Sequence, residues 1–232
     1  MTILLHNLLA RAPKMNDADA VTKLLVACNI VDDGVSHYTV EDLLATWQKP
    51  GFNLAIDARV IVSNKGQLVG YVGIDDYKHV CINMKACVHP NFRGRGIGTL
   101  LLRLAEVRAR QHLACAPSEA RVVVHNTVGH TNQTAKNLLE YEGYSLVSHF
   151  WRIVIETNEA PLQSSDASDA SQREVKLKLA LDVHYQCATG TTRVYEPSGL
   201  YIVRQYDVYE KELQAGEDLY KGEELGTELI SV

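Results

Sequence analysis

Residues 88–98 read Val-His-Pro-Asn-Phe-Arg-Gly-Arg-Gly-Ile-Gly and connect an apolar strand to an amphipathic segment over residues 99–112. A strand that ends in alternating glycines and then opens a helix forms a nest of backbone N–H groups, with the positive end of the helix dipole behind it. The three glycines let a ligand approach the backbone, and the two arginines add positive charge at the rim. The stretch therefore predicts a pocket for a pyrophosphate.

The spacing of the glycines decides which phosphate ligand is expected. A dinucleotide fingerprint requires G-x-G-x-x-G, but position 99 is Thr99 and the third glycine stands one residue early, at Gly98. This spacing argues against a nucleotide-binding oxidoreductase. The sequence also lacks a phosphate loop of the form G-x-x-x-x-G-K-[ST]. What remains is R-x-x-G-x-G on Arg93, Gly96 and Gly98, after an apolar strand and the tripeptide Val-His-Pro.

This combination resembles the acetyl-CoA signature of the GNAT N-acetyltransferase superfamily. A second family motif, N-x-x-A followed by a helix and G-[FY], is matched by Asn132, Ala135, Gly143 and Tyr144. The resemblance implies an α/β protein with a mixed α+β sheet, the acyl-CoA N-acyltransferase (GNAT) fold. It also implies an enzyme that moves an acetyl group from acetyl-CoA directly to an amine acceptor, which is a small molecule or a peptide.

The resemblance also assigns roles to individual residues. Backbone groups of Cys87 and Val88 would contact the pantetheine and the thioester, and the Val88 N–H would polarise the thioester carbonyl as an oxyanion-type donor. The amide of Asn132 either faces the cofactor or simply caps a helix. The full set of implied cofactor contacts is Cys87, Val88, Arg93, Gly94, Arg95, Gly96, Ile97, Gly98, Thr99 and Asn132.

The sequence departs from the family pattern at the catalytic acid and base. Leu139 stands where many members carry a tyrosine, and Ile82 occupies the stretch where some relatives use a glutamate. Tyr141 cannot replace the tyrosine, because two residues along a helix rotate a side chain by about 200°. A degenerate acetyl-CoA-binding sensor or scaffold without catalysis is therefore the alternative. Candidates for a water-mediated base are Asp75, Asp76 and His79.

The acceptor is expected beside the segment that follows the first helix. Two carboxylates and two aromatic side chains there would suit a cationic amine, although Asp32-Asp33-Gly34 is also an ordinary turn sequence. The residues expected to cover this acceptor site are Asp32, Asp33, His37, Tyr38 and Trp47.

Charge and composition limit the class of partner. The net charge is −5, yet residues 85–121 hold seven basic and two acidic side chains, so this stretch carries +5 and the rest −10. A basic island around a glycine loop suits a small polyanion such as CoA, whereas no nucleic-acid partner is expected. The five cysteines are odd in number and scattered, which favours reduced thiols and a cytoplasmic protein. With no run of about 18 apolar residues, no membrane association is expected.

A metal site is not expected on the strand before the loop. His79, Cys81, Cys87 and His89 offer ligand-type side chains on one strand face. However, a strand rises about 3.3 Å per residue, so the two histidines stand roughly 33 Å apart. A zinc ion with bonds near 2 Å cannot bridge that distance.

The hydrophobic pattern predicts a domain over residues 1–157, a polar linker over 158–174, a partial second GNAT repeat without a CoA loop over 175–213, and an acidic tail over 214–232. The repeat resembles tandem proteins similar to mycothiol synthase. It is expected to continue an exposed sheet edge, on the first domain or in a homodimer. Within the domain, strands are predicted over 7–12, 60–63, 68–74, 80–88, 121–125 and 144–156, and helices over 17–29, 39–47, 99–112 and 132–142.

Overall fold

A computed structural model describes residues 3–5, 8–34, 36, 38–157, 177–186 and 200–219. Its helices are α1 Ala18–Asp33, α2 Val40–Trp47, α3 Leu54–Asp57, α4 Ile97–His112 and α5 Gln133–Tyr141. Its strands are β1 Ile3–Leu5, β2 Leu8–Arg11, β3 Ala58–Ser63, β4 Leu68–Tyr77, β5 Cys81–Val88, β6 Val122–Gly129, β7 Ser145–Thr157, β8 Leu177–Gln186 and β9 Leu200–Gln214. Among the described residues, no helix has the length and apolarity that crossing a membrane requires.

The strands form one mixed sheet in the order β1-β2-β3-β4-β5-β6-β9-β7-β8. β5 and β6 run parallel, because α4 carries the chain back across the sheet between them, and the other neighbours are antiparallel. One hydrophobic core lies between the sheet and α4 and α5, and a second packs α1 and α2 on the opposite face. The mixed α/β architecture confirms the predicted fold class.

Local sequence signals account for the helix ends. Thr39 caps α2 through its hydroxyl, and Asp42, three residues later, completes the capping box. Helix α1 runs four residues further than the hydrophobic pattern predicts and ends where Gly34 adopts a φ of +82°. The sequence pattern does not predict helix α3, because four residues are too few to show a helical period of apolar residues. One long strand, β7 (Ser145–Thr157), occupies the range 144–156 in which strand structure was predicted.

The C-terminal segment extends a sheet edge, as expected, only with β8, whereas β9 lies inside the sheet. β9 inserts between β6 and β7 and pairs with both, so residues 200–214 belong to the same sheet as residues 8–157. Of the two C-terminal strands, β8 lies at a sheet edge, beside β7, and β1 forms the opposite edge. The boundary at residue 157 therefore does not divide the sheet. The physical reason is that β6 and β7 each leave a hydrogen-bonding side for a strand that arrives later in the chain. The linker and most of the acidic tail lie outside the described residues.

Candidate active site

Strands β5 and β6 separate from each other before either strand ends. Their parallel ladder runs from Cys81 to Met84 on β5 and stops at the pair Met84–Asn126. Beyond it, β5 continues with β4 to Val88, while β6 continues with β9 to Gly129. The sheet thus has an opening between its two central strands. Ala86 agrees with this opening: it belongs to the apolar positions of β5, which alternate along the strand, yet it is exposed because no neighbour covers it.

The register of β5 decides which backbone groups face this opening. His89 donates its N–H to the Val69 carbonyl at 2.9 Å, so His89 and Val69 form a hydrogen-bonded pair between the ends of β5 and β4. Hydrogen-bonded pairs alternate along an antiparallel ladder, so Cys87 also turns its backbone groups toward β4, and Ala86 and Val88 turn theirs away. The Val88 N–H thus faces the opening, and its role as an oxyanion-type donor stays a prediction. The Cys87 backbone, from which a pantetheine contact was expected, faces β4.

The glycine loop that follows has the backbone geometry of an anion nest. Gly94 and Gly96 have φ values of +74° and +75°, which disfavour residues with a Cβ atom. Gly96 is the N-cap of α4, and the first hydrogen bond in the helix runs from the Leu100 N–H to the Gly96 carbonyl at 3.0 Å. The amides of residues 97–99 therefore have no carbonyl partner one turn earlier. A Cβ atom on Gly94 or Gly96 would meet open space, which leaves room for a ligand.

Gly98 serves a different purpose from the other two glycines. A Cβ atom there would lie 2.9 Å from Leu138 Cδ2, on helix α5. The missing side chain therefore allows α4 and α5 to pack closely, and the expectation that Gly98 makes room for the ligand is corrected in this respect.

The Arg93 side chain points inward, away from the role in pyrophosphate binding that the sequence predicted. Its guanidinium lies 2.7 and 2.8 Å from the two carboxylate oxygens of Asp32, at the end of α1. Its Nε donates to the Val88 carbonyl at 3.2 Å. The hydrogen bond to Asp32 raises the pKa of Arg93 above its usual value. Arg93 therefore anchors the end of β5.

Most of the basic island is neutralised by ion pairs. Carboxylates lie next to Arg93, Arg103, Arg108, Arg110 and Arg121. Arg95 is different: among the described residues it has no carboxylate partner, and it donates to the Asn91 carbonyl and stacks on the Phe92 ring. The charge available to a phosphate at the loop is thus mainly that of Arg95 and the helix dipole.

Helix α5 shows where the family pattern is kept and where it is lost. Asn132 accepts a hydrogen bond from the Ala135 N–H at 3.1 Å, so its side chain caps the helix. Leu139 is buried in the core, as is Ile82 on β5. Tyr141 points to solvent with 83% of its surface exposed. The helix register therefore agrees with the prediction that Tyr141 does not take the place of the family's tyrosine.

The three candidates for a water-mediated base lie at the wrong end of the sheet. Asp75 and Asp76 pair with Asn83 and Ile82, five and six strand positions from Val88. At about 3.3 Å per position this is roughly 17–20 Å, and His79 lies still further along, in the β4–β5 turn. These residues are too distant to accept a proton from an amine at Val88, so this expectation was wrong.

The residues expected around the acceptor are only partly placed there. Trp47 is buried in the α1–α2 core, where its Nε1–H donates to the Tyr71 hydroxyl at 3.0 Å. The Asp32 carboxylate is held by Arg93. Tyr38 is half-buried with Lys85 Nζ 4.2 Å above its ring, and burial raises its pKa. His37 and the Asp33 side chain lie outside the described residues.

Cys28 on α1 is a neighbour of the site that the sequence analysis did not find. Its Sγ lies 3.3 Å from the Val88 carbonyl oxygen. The hydrogen bond from the Cys87 thiol lowers the pKa of Cys28, and the nearby Arg93 charge lowers it further. The same hydrogen bond raises the pKa of Cys87, and so does its burial. A helical period marks Cys28 as apolar core, and only the packing of α1 on β5 brings it to Val88.

The comparisons with known proteins agree with this geometry. Residues 57–146 match the family model described as acetyltransferase (GNAT) domain, and no curated protein matches. A GCN5-related N-acetyltransferase from Sphaerobacter thermophilus superposes with a TM-score of 0.77 at 20% identity, covering 94% of this chain and 99% of that chain. A GNAT superfamily phosphinothricin acetyltransferase from Sinorhizobium meliloti, in complex with AcCoA, has a TM-score of 0.53 at 13% identity and 90% coverage of both chains.

The fold is thus the acyl-CoA N-acyltransferase (GNAT) fold. Residues 57–146, with the β5–β6 opening and the glycine loop, carry a GNAT acetyltransferase domain, as the sequence resemblance predicted.

Proposed function

We propose that this protein binds acetyl-CoA as acyl donor and transfers the acetyl group to an amine acceptor. The observation that carries the proposal is that the β5–β6 opening leads to the loop amides. The ladder ends at Met84–Asn126, and α4 begins nine residues after Val88, at Ile97. A pantetheine in the opening would pair with the outward backbone groups of Ala86 and with the Val88 N–H, and it would cover the Ala86 side chain. The pyrophosphate would lie on the amides that follow Gly94.

The proposed chemistry is direct transfer. The amine nitrogen attacks the thioester carbon, the new C–N bond forms, and the C–S bond breaks with its electron pair leaving on the CoA sulfur. The Val88 N–H, turned away from β4, stabilises the charge that develops on the carbonyl oxygen. The proton of the resulting ammonium passes to water. Positioning of the amine contributes most of the catalysis, because alignment alone lowers barriers by about 7–11 kcal/mol in favourable cases.

A sensor or scaffold without catalysis is the second candidate. Its specific support is the burial of Leu139 and Ile82, which places apolar side chains where relatives of this fold carry an acid or a base. Such a protein would keep the pocket and the loop amides but would release no thiol.

Thiol release from acetyl-CoA over a panel of small amines and peptide N-termini tests the proposal. We expect release that depends on the amine and increases with its deprotonated fraction. Acetyl-CoA binding by calorimetry without thiol release for any amine would favour the sensor, and absence of binding would refute both candidates. A cytoplasmic location and a homodimer through the C-terminal segment stay predictions.

A further inference from the structure

A second group of polar side chains lies at the opposite end of the sheet from the glycine loop. The Asp76 Oδ2 atom is 2.5 Å from His79 Nδ1 and 2.6 Å from His112 Nδ1. Asp76 belongs to β4, His79 to the β4–β5 turn and His112 to the last turn of α4. The three ligand-type atoms all lie within 4.8 Å of one another. We propose that Asp76, His79 and His112 form a binding site for a divalent transition-metal cation such as Zn²⁺.

The backbone holds His79 over the carboxylate in an unfavourable conformation. Lys78 and His79 have φ values of +53° and +61° in the three-residue turn between β4 and β5, and few residues other than Gly adopt such values. The Asp76 Oδ1 atom accepts the His79 N–H at 2.9 Å. This turn therefore directs the imidazole toward Oδ2 at a cost in backbone energy, which is typical of a functional position.

The other ring nitrogen of His112 gives an independent indication. His112 Nε2 is buried and makes no hydrogen bond within the described part of the chain, and Asp57 Oδ1 lies 3.8 Å away. A cation on Nδ1 would leave the proton on Nε2, next to the Asp57 carboxylate, whose Oδ1 also accepts from Arg108 Nε at 2.7 Å. Histidine ligands in metal sites usually have such a carboxylate behind them.

The charge on the carboxylate distinguishes this group from a similar one in the structure. His130, His149 and Asp207 also bring two imidazoles to a carboxylate. There, however, Lys136 Nζ pairs with the buried Asp207 and neutralises it. At Asp76, no lysine or arginine pairs with the carboxylate among the residues that the structure describes, so its negative charge is available to a cation.

Geometry and exposure favour a site that keeps an open position. Around a tetrahedral Zn²⁺ with bonds of about 2.0 Å, ligand atoms stand about 3.3 Å apart. Each imidazole nitrogen therefore needs to move away from Asp76 Oδ2 by less than about 1 Å to make room for the ion. His79 can move because 49% of its side chain is exposed. With His79 half-exposed, a fourth position would be open to water on that side, as in sites with three protein ligands and a water. The sequence does not indicate this group, because the ligand-type side chains rejected there for a metal stand on one strand, whereas His112 comes from α4.

The test is a titration of the metal-free full-length chain with ZnCl₂ by calorimetry, and with Co²⁺ by visible absorption. We expect one Zn²⁺ per chain, tetrahedral-type Co²⁺ bands, and a rise in melting temperature with Zn²⁺. Asp76→Asn and the exposed His79→Gln should each weaken binding at least tenfold. The matched control His130→Gln, in the lysine-neutralised group, should bind as the unchanged protein does. No binding, or binding lost in His130→Gln but kept in the other two variants, would overturn the assignment.

Discussion

Arg93 and Asp32 form a two-point ion pair, with Nη1–Oδ1 and Nη2–Oδ2 distances of 2.7 and 2.8 Å. The two residues are 61 positions apart in sequence. Because Arg93 Nε also donates to the Val88 carbonyl, this pair connects the end of α1 to the end of β5, beside the opening between the central strands. Arg93, the arginine of the signature motif, therefore holds the end of β5 in place, and its charge is paired with Asp32 rather than directed to a phosphate.

Asp32→Asn should destabilise the fold, since it leaves a partly buried guanidinium without its charged partner. We expect a loss of about 1.5–3 kcal/mol, the usual contribution of hydrogen bonds to charged groups, measured by urea unfolding. Asp19→Asn is the control on the same helix: its ion pair with Lys23 is mostly exposed, so we expect a change within about 1 kcal/mol. Equal losses in both variants would contradict the anchoring role.

Gly96→Asp should abolish acetyl-CoA binding, because it places a side chain and a negative charge among the loop amides. Gly66→Asp is a matched control: Gly66 has a φ of +77° and open space around its Cβ position, like Gly96, but lies in the β3–β4 turn. Both variants should show similar small losses of stability, while calorimetry with acetyl-CoA should show loss of binding only in Gly96→Asp. Unchanged affinity in Gly96→Asp would refute the loop assignment.

Tyr141→Phe should leave turnover within a few-fold of the unchanged enzyme. Tyr141 points to solvent, so no proton of the reaction passes through its hydroxyl. The measurement is kcat for thiol release with the best amine. A hundred-fold decrease would show that Tyr141 is the general acid.

Glu210→Gln should remove part of the acid sensitivity of the fold. The hydrogen bond from His125, and then Arg121, lower the pKa of Glu210 to about 2 from a usual value near 4.5. A lowered folded-state pKa gives stability that is present above the unfolded pKa and is lost as the pH falls. The unchanged protein should therefore lose this contribution between about pH 4.5 and 2, and Glu210→Gln should lack it throughout.

Urea unfolding across that pH range measures the effect. Glu212→Gln is the control, because its carboxylate contacts the same Arg121 but is 45% exposed. We expect a smaller effect there, since solvent screens exposed pairs. Parallel pH profiles for Glu210→Gln and the unchanged protein would contradict the prediction.

Ending the chain after Glu159 should prevent folding and abolish acetyl-CoA binding. The truncation removes β9, which lies between β6 and β7, and with it Lys211, whose Nζ binds Glu106 on α4 at 2.9 Å. Ending the chain after Leu219 keeps every described strand and should give a folded protein. Circular dichroism and size-exclusion chromatography distinguish the two outcomes; a monomeric truncated protein that binds acetyl-CoA would show that β9 is dispensable.

The sequence by itself determined the elements and the loop, because those depend on local chemistry. Alternating apolar residues define β5, the capping box of Thr39 and Asp42 starts α2, and the glycine spacing at 94–98 determines an αL turn into α4. The loss of the family's acid and base was also visible, since it depends only on residue identity at Leu139 and Ile82.

Only the tertiary structure decided which distant residues meet. Strand order is set by which hydrogen-bonding edges remain unpaired, so no local pattern could place β9 between β6 and β7. The same holds for side chains: Arg93 carries a charge suited to a phosphate, but the partner it meets is Asp32, because α1 packs across the end of β5. His112 joins Asp76 and His79 for a similar reason, since the length and packing of α4 bring its last turn to the β4–β5 hairpin.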